Sequence, residues 1–207
     1  MSYYQNVVFP KMCNIVSNQF RNSKAELLAS CSGNVLEIGF GSGLSLPFYS
    51  SQVTALTGVE PHDAERHSAK LAKLAAASVF PVNLVGSNAE SMPFSDGTFD
   101  SAVSIFTLCS VTNPTTTLQE ILRVLKPNGK LFFLEHTIDG PGMNRGLQKL
   151  LQPVWNKIAC GCCLDLDAPD LMRKHQLNLD YKKLGHGGFP NFLSPIYMGV
   201  ASKSFLS

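Results

Sequence analysis

The sequence predicts an α/β fold, in which buried parallel strands alternate with helices. Short apolar runs recur along the 207-residue chain, and segments of helical periodicity separate them, as expected for βαβ units. The first run ends in an alternating glycine turn, and the last two runs follow each other without a helix between them. The spacing alone therefore indicates an α/β domain that ends in an antiparallel pair.

Length and composition are those of one globular domain, and we expect a single domain over residues 1–207. Charged residues make up only 15% of the chain, acidic and basic residues are mixed, and the net charge is +2. The chain has no Lys/Arg block and no stripe of basic and aromatic residues. Nucleic acid is therefore not an expected partner, whereas a small molecule is.

The chain shows no pattern of a signal peptide and no apolar run long enough to span a bilayer, so we expect a cytoplasmic protein. Its six cysteines are irregularly spaced, which favours free thiols over a disulfide framework. Cys160, Cys162 and Cys163 lack the paired Cys-x-x-Cys units of a structural zinc site. The sequence therefore predicts no metal.

The first apolar run, residues 35–38, leads into a turn with three alternating glycines, Gly39, Gly41 and Gly43. Glycine allows positive φ and the close approach of a ligand to the backbone. A dinucleotide-binding turn would have a third glycine where this chain has Leu44. Instead, Glu37 stands two residues before the first glycine. A carboxylate there suits a cationic ligand better than a pyrophosphate.

Two segments are expected to cover this turn. Residues 1–33 carry apolar side chains at helical spacing and predict an N-terminal helical cap, which either packs on the core or forms a lid; the two roles are compatible. Residues 137–167 are an insertion with a second amphipathic helix, which Pro153 should kink. We expect this insertion to form a substrate cap.

A short helix begins within residues 45–49. The second strand, residues 53–60, follows it, and this strand ends in Glu60. An acid at this position hydrogen-bonds ribose hydroxyls in nucleoside-binding α/β folds. Pro61 then begins a helix over residues 64–77. A third strand at residues 81–86 completes the βαβ crossover.

A fourth strand is predicted over residues 102–109, and it is too apolar to have one face in water. Its carboxyl end should line the crevice of an open α/β sheet. The remaining predicted elements are a helix from Pro114 that residues 127–129 stop, a strand at 130–135, a helix at 168–176, and strands at 179–184 and 196–203 joined by the loop 185–195.

Four segments in this order resemble the motifs of the class I S-adenosylmethionine-dependent methyltransferases of the type 11 group: the glycine turn, the second strand, residues 87–94 and residues 118–136. The resemblance implies a doubly wound, Rossmann-like, seven-stranded sheet with a terminal antiparallel hairpin, and S-adenosyl-L-methionine as the cofactor. The cofactor-binding residues that it implies are Glu37, Gly39, Gly41, Gly43, Glu60, Pro61, Asn88, Ala89 and Thr107. Asn88 replaces a commoner Asp, so the adenine contact lacks the strength of a charged acceptor.

Shorter motifs resemble a subgroup of small methyltransferases; they include Thr107-Leu108-Cys109, Glu135-His136, Pro153-x-Trp155 and Gly161-Cys162. Its members are membrane-associated alkyl-thiol methyltransferases and, more distantly, quinone and phospholipid methyltransferases. The resemblance implies a small, partly apolar acceptor, namely a thiol, a phenol or quinone precursor, or a lipid amine. It also implies peripheral contact with a membrane.

A thiolate or phenolate acceptor needs little activation, whereas a neutral hydroxyl or protonated amine needs a base. His136, at the end of the fifth strand, is the best candidate catalytic residue. A histidine that is merely hydrogen-bonded at a strand end is an equally good interpretation.

Two other functions stay open at this point. A nucleotide-dependent oxidoreductase is disfavoured by Leu44. A non-catalytic partner subunit that only binds the cofactor is the second alternative. The sequence leaves the acceptor atom and the oligomeric state undetermined.

Overall fold

A computed structural model describes residues 15, 18–61, 68–159, 161–184 and 195–204. The strands are β1 (Gly33–Ile38), β2 (Val53–Glu60), β3 (Val82–Gly86), β4 (Phe99–Ile105), β5 (Leu125–His136), β6 (Leu177–Leu184) and β7 (Ile196–Lys203). The helices are α1 (Arg21–Leu28), α2 (Ser68–Ala76), α3 (Pro114–Val124), α4 (Met143–Ile158) and α5 (Ala168–Lys174), with a 3-10 turn at Leu46–Phe48.

The strands form one seven-stranded sheet in the order β3-β2-β1-β4-β5-β7-β6. Strands β1 to β5 are all parallel to one another, while β7 is antiparallel to both β5 and β6. Strands β2 and β3 follow β1 towards one edge of the sheet, and β5 follows β4 towards the other. The switch in strand order therefore lies between β1 and β4. The doubly wound, Rossmann-like sheet with its terminal antiparallel hairpin is confirmed.

Both faces of the central strands are buried, because apolar layers lie on both sides of the sheet. Along β1, Val35 enters one layer and Leu36 the other; along β5, Phe132 and Phe133 divide in the same way. Helix α1 packs in the first layer and α3 in the second. This two-sided burial is why these strands appear in the sequence as continuous apolar runs.

The fourth strand lies earlier in the chain than the predicted residues 102–109: β4 begins at Phe99 and ends at Ile105, whereas the apolar run continues to Cys109. Phe106 has a left-handed φ of +53°, which breaks the extended conformation. The next three backbone N–H groups then turn towards the side chain of Glu135 instead of a neighbouring strand. The end of the apolar run is therefore a loop, not a strand.

The junction after α3 also differs from the prediction. Helix α3 ends at Val124, before Pro127, because the residue that precedes a proline disfavours the helical conformation. Strand β5 begins at once, and its register against β4 jumps from the Phe99–Leu125 pair to the Ser101–Lys130 pair. The predicted stop at residues 127–129 is thus an irregular part of β5.

Strands β2 and β7 have the predicted bounds. Most of the predicted N-terminal cap and the loop 185–194 lie outside the described residues, as do residues 62–67. In the described part of the chain, no helix combines the length and apolar character needed to cross a bilayer.

Candidate active site

The carboxyl ends of the parallel strands meet at one edge of the sheet, and hydrogen bonds join them. The Gly41 N–H after β1 donates to Glu60 Oε2 at the end of β2, at 3.0 Å. The Ser87 N–H after β3 donates to the carbonyl of Glu60 at 3.3 Å. The Thr107 hydroxyl after β4 lies 3.2 Å from the carbonyl of Ile38 in β1. The structure thus brings residues from four predicted motifs together.

The turn after β1 requires its glycines. Gly39, Gly41 and Gly43 all have positive φ, at +66°, +52° and +71°. A Cβ on Gly39 would overlap the Thr107 side chain, whereas a Cβ on Gly41 would meet nothing nearer than 3.9 Å. The backbone is therefore open at Gly41, where a ligand can approach it closely.

Glu37 is buried in β1 just below this turn, with 2% of its surface exposed. The Tyr49 hydroxyl donates to Glu37 Oε2 at 2.9 Å. Burial raises the pKa of the Glu37 carboxyl to about 7, although hydrogen bonds from Ser45 and Tyr49 and the charge of Lys24 lower it. The buried carboxyl is thus poised near neutral pH, and a cationic ligand would favour its ionised form.

The segment after β3 is held in place by α3. Glu120 of α3 accepts a hydrogen bond from the Met92 N–H at 3.0 Å, and Arg123 donates to the carbonyls of Met92 and Phe94. Asn88, at the start of this segment, is exposed, and the next residue, Ala89, is buried.

Asn88 lies next to the end of β2 because the neighbouring Ser87 bonds to Glu60. Pro61 is an exposed residue that directly follows β2. The structure therefore gathers the predicted cofactor-binding residues along one edge, and their contacts with the cofactor stay predictions.

Glu135, for which the sequence predicted no role, organises the loop after β4. It is fully buried and accepts hydrogen bonds from the Ser104 hydroxyl at 2.6 Å and from the N–H groups of Thr107, Leu108 and Cys109 at 3.0, 2.9 and 3.3 Å. Burial raises the pKa of this carboxyl, and these hydrogen bonds oppose that shift. The sequence does carry a signal for this role: Glu135 is an acidic residue directly after the apolar run Leu131-Phe132-Phe133-Leu134 of a buried strand.

His136 follows Glu135 and lies within a group of sulfur-bearing and aromatic side chains. Its ring centroid is 5.5 Å from that of Phe106, and its Nδ1 is 3.8 Å from Cys162 Sγ. Cys162 Sγ in turn donates to Cys109 Sγ at 3.6 Å. The close contact between the two sulfurs, together with His136, lowers the pKa of Cys162, while the same contact and burial raise the pKa of Cys109.

The two thiols come from segments 53 residues apart, so the sequence alone could not pair them. Backbone contacts hold the second segment on the first: the Cys163 N–H donates to the carbonyl of Cys109 at 2.6 Å. The Asn156 amide donates to the carbonyl of Gly161 at 3.1 Å and fixes the turn that carries Cys162. The end of the 137–167 insertion thereby lies directly against the loop after β4.

Helix α4 packs on the domain through polar side chains. Gln148 is buried, donates to the carbonyl of Thr137 at 3.3 Å and accepts from the Asp139 N–H at 2.8 Å. Gln152 accepts from the Leu164 N–H at 2.6 Å. The exposed apolar residues of this helix are Met143 (87%), Leu147 (36%), Leu150 (74%), Val154 (58%) and Ile158 (43%). The helix therefore presents an apolar stripe, called here the α4 stripe, to the outside.

Comparisons with known proteins agree with this geometry. The family described as a methyltransferase domain matches residues 36–133. Human thiol S-methyltransferase TMT1B is 32% identical over 169 residues, which are 78% of this chain and 68% of the human protein. Phosphatidylethanolamine N-methyltransferase of Cereibacter sphaeroides is 30% identical over 151 residues, 72% of this chain and 73% of that protein.

The same fold occurs in solved structures. The 1,6-didemethyltoxoflavin-N1-methyltransferase of Burkholderia thailandensis, solved with S-adenosylhomocysteine, superposes with a TM-score of 0.67 at 18% identity, covering 99% of this chain and 91% of that chain. The chain belongs to the class I S-adenosylmethionine-dependent methyltransferases. It is an enzyme with S-adenosylmethionine as its cofactor, as predicted.

Proposed function

We propose that this enzyme transfers a methyl group to the sulfur of a small apolar thiol. The observation that carries the proposal is the position of His136 at the end of β5, among Phe106, Cys109 and Cys162. Walls of this kind suit an apolar acceptor with one reactive polar atom. The human relative, whose name is thiol S-methyltransferase, supports sulfur as that atom.

The cofactor would be held along the edge where the strands end. Glu37 would meet its ammonium group, the open backbone at Gly41 its methionine part, Glu60 its ribose, and Asn88 with the Ala89 N–H its adenine, with Thr107 at the reacting end. When bound, S-adenosylmethionine supplies a methyl group already activated on a sulfonium. The protein has mainly to align the acceptor, an effect worth up to roughly 7–11 kcal/mol.

His136 is the proposed catalytic residue, and its role is to promote loss of the acceptor's proton. An unperturbed thiol is mostly protonated at neutral pH, and only the thiolate is a good nucleophile. The imidazole is half-buried beside the Phe106 ring, so it can reach an acceptor inside the crevice.

Residues 1–33 and 137–167 are proposed to cover the acceptor. In the described part of the first segment, Phe20 is buried, and its ring centroid is 5.6 Å from that of Phe106. The second segment reaches the same place through Cys162. Both covers thus contact the loop after β4, and closing them would exclude water.

The α4 stripe is proposed to rest on an anionic membrane surface. Helix α4 carries Arg145, Lys149 and Lys157 and no acidic residue, so its charge complements anionic lipid. An interfacial helix of this kind would admit an apolar acceptor directly from the lipid. The localisation of the protein, expected to be cytoplasmic, stays a prediction.

The test is incubation with isotope-labelled cofactor and a matched panel: an alkyl thiol, the alcohol and amine of equal chain length, a phenol and phosphatidylethanolamine. We expect label in the thiol alone. Label in the phenol or in a lipid amine, but not in the thiol, would contradict the proposal.

The Glu60→Ala variant tests the proposed ribose contact. It should bind S-adenosylhomocysteine more weakly by about 1.5–3 kcal/mol, which is the usual contribution of hydrogen bonds to a charged acceptor, and calorimetry would measure this.

A further inference from the structure

Three side chains with metal-binding atoms converge at the wall of the crevice: Cys109, His136 and Cys162. Among the described residues, their ligand atoms all lie within 4.8 Å of one another. The two sulfurs are 3.6 Å apart, and Cys162 Sγ is 3.8 Å from His136 Nδ1. Both thiols are buried and the imidazole is half-buried.

These separations match those between the ligands of a tetrahedral zinc ion. With Zn–S bonds of about 2.3 Å and Zn–N bonds of about 2.0–2.1 Å, two sulfurs lie about 3.8 Å apart, and a sulfur and a nitrogen about 3.6 Å apart. The observed sulfur–sulfur distance of 3.6 Å and sulfur–nitrogen distance of 3.8 Å each differ from the ideal value by about 0.2 Å. The observed sulfur–sulfur distance is also far beyond the disulfide bond length of about 2.05 Å.

The charge balance and the surroundings fit the same occupant. Two thiolates and one neutral imidazole around a divalent cation give a site with no net charge, which suits burial beside Ala159 and Trp155. The Trp155 Nε1–H is buried and faces Cys162, whose pKa it helps to lower. An N–H donor that packs against sulfur ligands can pair with a negatively charged atom bound there.

We propose that Cys109, His136 and Cys162 form a three-ligand site for a zinc-type divalent cation, with the fourth position taken by the sulfur of the acceptor thiol. The role of the fourth position rests on the proposed function, whereas the cation site itself does not. Two sulfurs and one nitrogen are a donor set of catalytic zinc sites, which keep one position open. Among the described residues, no fourth metal-binding side chain joins this group.

This proposal departs from the prediction of no metal, which considered Cys160, Cys162 and Cys163 only by their spacing along the chain. In the structure, Cys163 Sγ instead lies 3.6 Å from the carbonyl of Gly161. Cys162 finds its partners on β5 and on the loop after β4, and only folding brings these together.

With the cation bound, His136 would act as a metal ligand and not as a base, so it would promote loss of the acceptor's proton through the cation. The cation would activate the acceptor by binding it. As the metal–sulfur bond forms, the thiol releases its proton to solvent, because a coordinated thiol is deprotonated. The sulfur is then held as a thiolate at the wall of the crevice. In the full reaction the thiol loses one proton and gains the methyl group of S-adenosylmethionine, whose sulfonium–methyl bond breaks to leave S-adenosylhomocysteine. The product thioether, which is neutral, leaves as a weak ligand.

The first test measures the metal, not turnover. Chelator-treated protein should take up one Zn²⁺ per chain, and Co²⁺ in its place should give the thiolate-to-cobalt absorption of a tetrahedral site. Cys109→Ser, Cys162→Ser and His136→Asn should lose stoichiometric binding, whereas the matched control Cys163→Ser should keep it. S-adenosylhomocysteine binding by calorimetry checks that each variant is folded. Absence of stoichiometric Zn²⁺, or binding that the three variants leave unchanged, would overturn the site.

A second test separates the open position from the proposed function. Adding an alkyl thiol to the Co²⁺-loaded protein, without cofactor, should change the cobalt spectrum, and the matched alcohol should not. An unchanged spectrum would show that the thiol does not bind the metal. Loss of metal in Cys160→Ser would show that Cys160 is a fourth ligand. Either result would overturn the open position. If the spectrum changes but no thiol is methylated, the cation site stands and the proposed function fails.

Discussion

Glu37 links the protonation of one buried carboxyl to the stability of the fold. Its pKa rises from the ordinary 4.5 to about 7 in the folded chain. Between these values the folded chain keeps a proton that the unfolded chain has released. The resulting stability is complete below the lower value and is lost as pH rises through the higher one, by about 3 kcal/mol in all.

Without ligand, the free energy of unfolding should therefore fall between about pH 4.5 and about pH 7 by more in the wild type than in Glu37→Gln, whose side chain does not titrate. Urea denaturation at several pH values measures this. An equal pH dependence in both proteins would show that Glu37 does not titrate in this range.

The same residue should make cofactor binding depend on pH. A bound ammonium favours the ionised carboxylate, so affinity should increase as pH rises through about 7 and Glu37 loses its proton. The Glu37→Gln variant should bind S-adenosylhomocysteine more weakly and with a flatter pH profile. Calorimetry in buffers of different ionisation enthalpy would detect the released proton in the wild type, and its absence there would contradict the assignment.

Glu135 is a positioning residue whose removal should unfold the loop that carries Thr107 and Cys109. The Glu135→Ala variant leaves the Ser104 hydroxyl and several backbone N–H groups without their acceptor, at a cost of about 3 kcal/mol or more in the free energy of unfolding. The Glu135→Gln variant keeps one acceptor oxygen and should lose about half of that. A change below about 0.5 kcal/mol in the alanine variant would contradict this role.

Among the helices, α4 has an inverted burial pattern: Gln148 is buried, whereas Leu150 and Val154 are exposed. This inversion is the reason for expecting a lipid surface to cover the α4 stripe. The Leu150→Glu, Val154→Glu double variant should lose binding to vesicles that contain anionic phospholipid, as co-sedimentation would show.

The matched control for this experiment is Val79→Glu, which changes an exposed apolar residue away from α4. It should bind the vesicles as the wild type does, and all proteins should bind S-adenosylhomocysteine equally. Vesicle binding that persists in the double variant would contradict the proposed membrane contact.

For the whole molecule, the prediction of one domain over residues 1–207 has a direct consequence. The chain should unfold in a single cooperative transition, with equal calorimetric and van't Hoff enthalpies. S-adenosylhomocysteine at about 100 times its dissociation constant should add about 2.7 kcal/mol and raise Tm by about 5–10 °C. Two transitions, of which the ligand shifts only one, would indicate separate units.

The sequence determined the order and type of the elements, because each signal is local. Apolar runs bounded by glycine and proline located β1, β2 and β7, and the resemblance of four segments to methyltransferase motifs implied the cofactor. The glycine turn adopts the expected geometry because glycine itself allows the positive φ that the turn needs.

Tertiary structure decided what depends on residues far apart in the chain. The apolar run that contains β4 predicts a strand up to Cys109. However, Glu135, 26 residues after Cys109, accepts hydrogen bonds from the N–H groups at the end of the run, and this end therefore forms a loop. The Cys109–Cys162 pair joins segments separated by 53 residues, and no local pattern encodes that distance. Periodicity and spacing report on neighbours along the chain, whereas a site is made by side chains that only the packing of the sheet brings into contact.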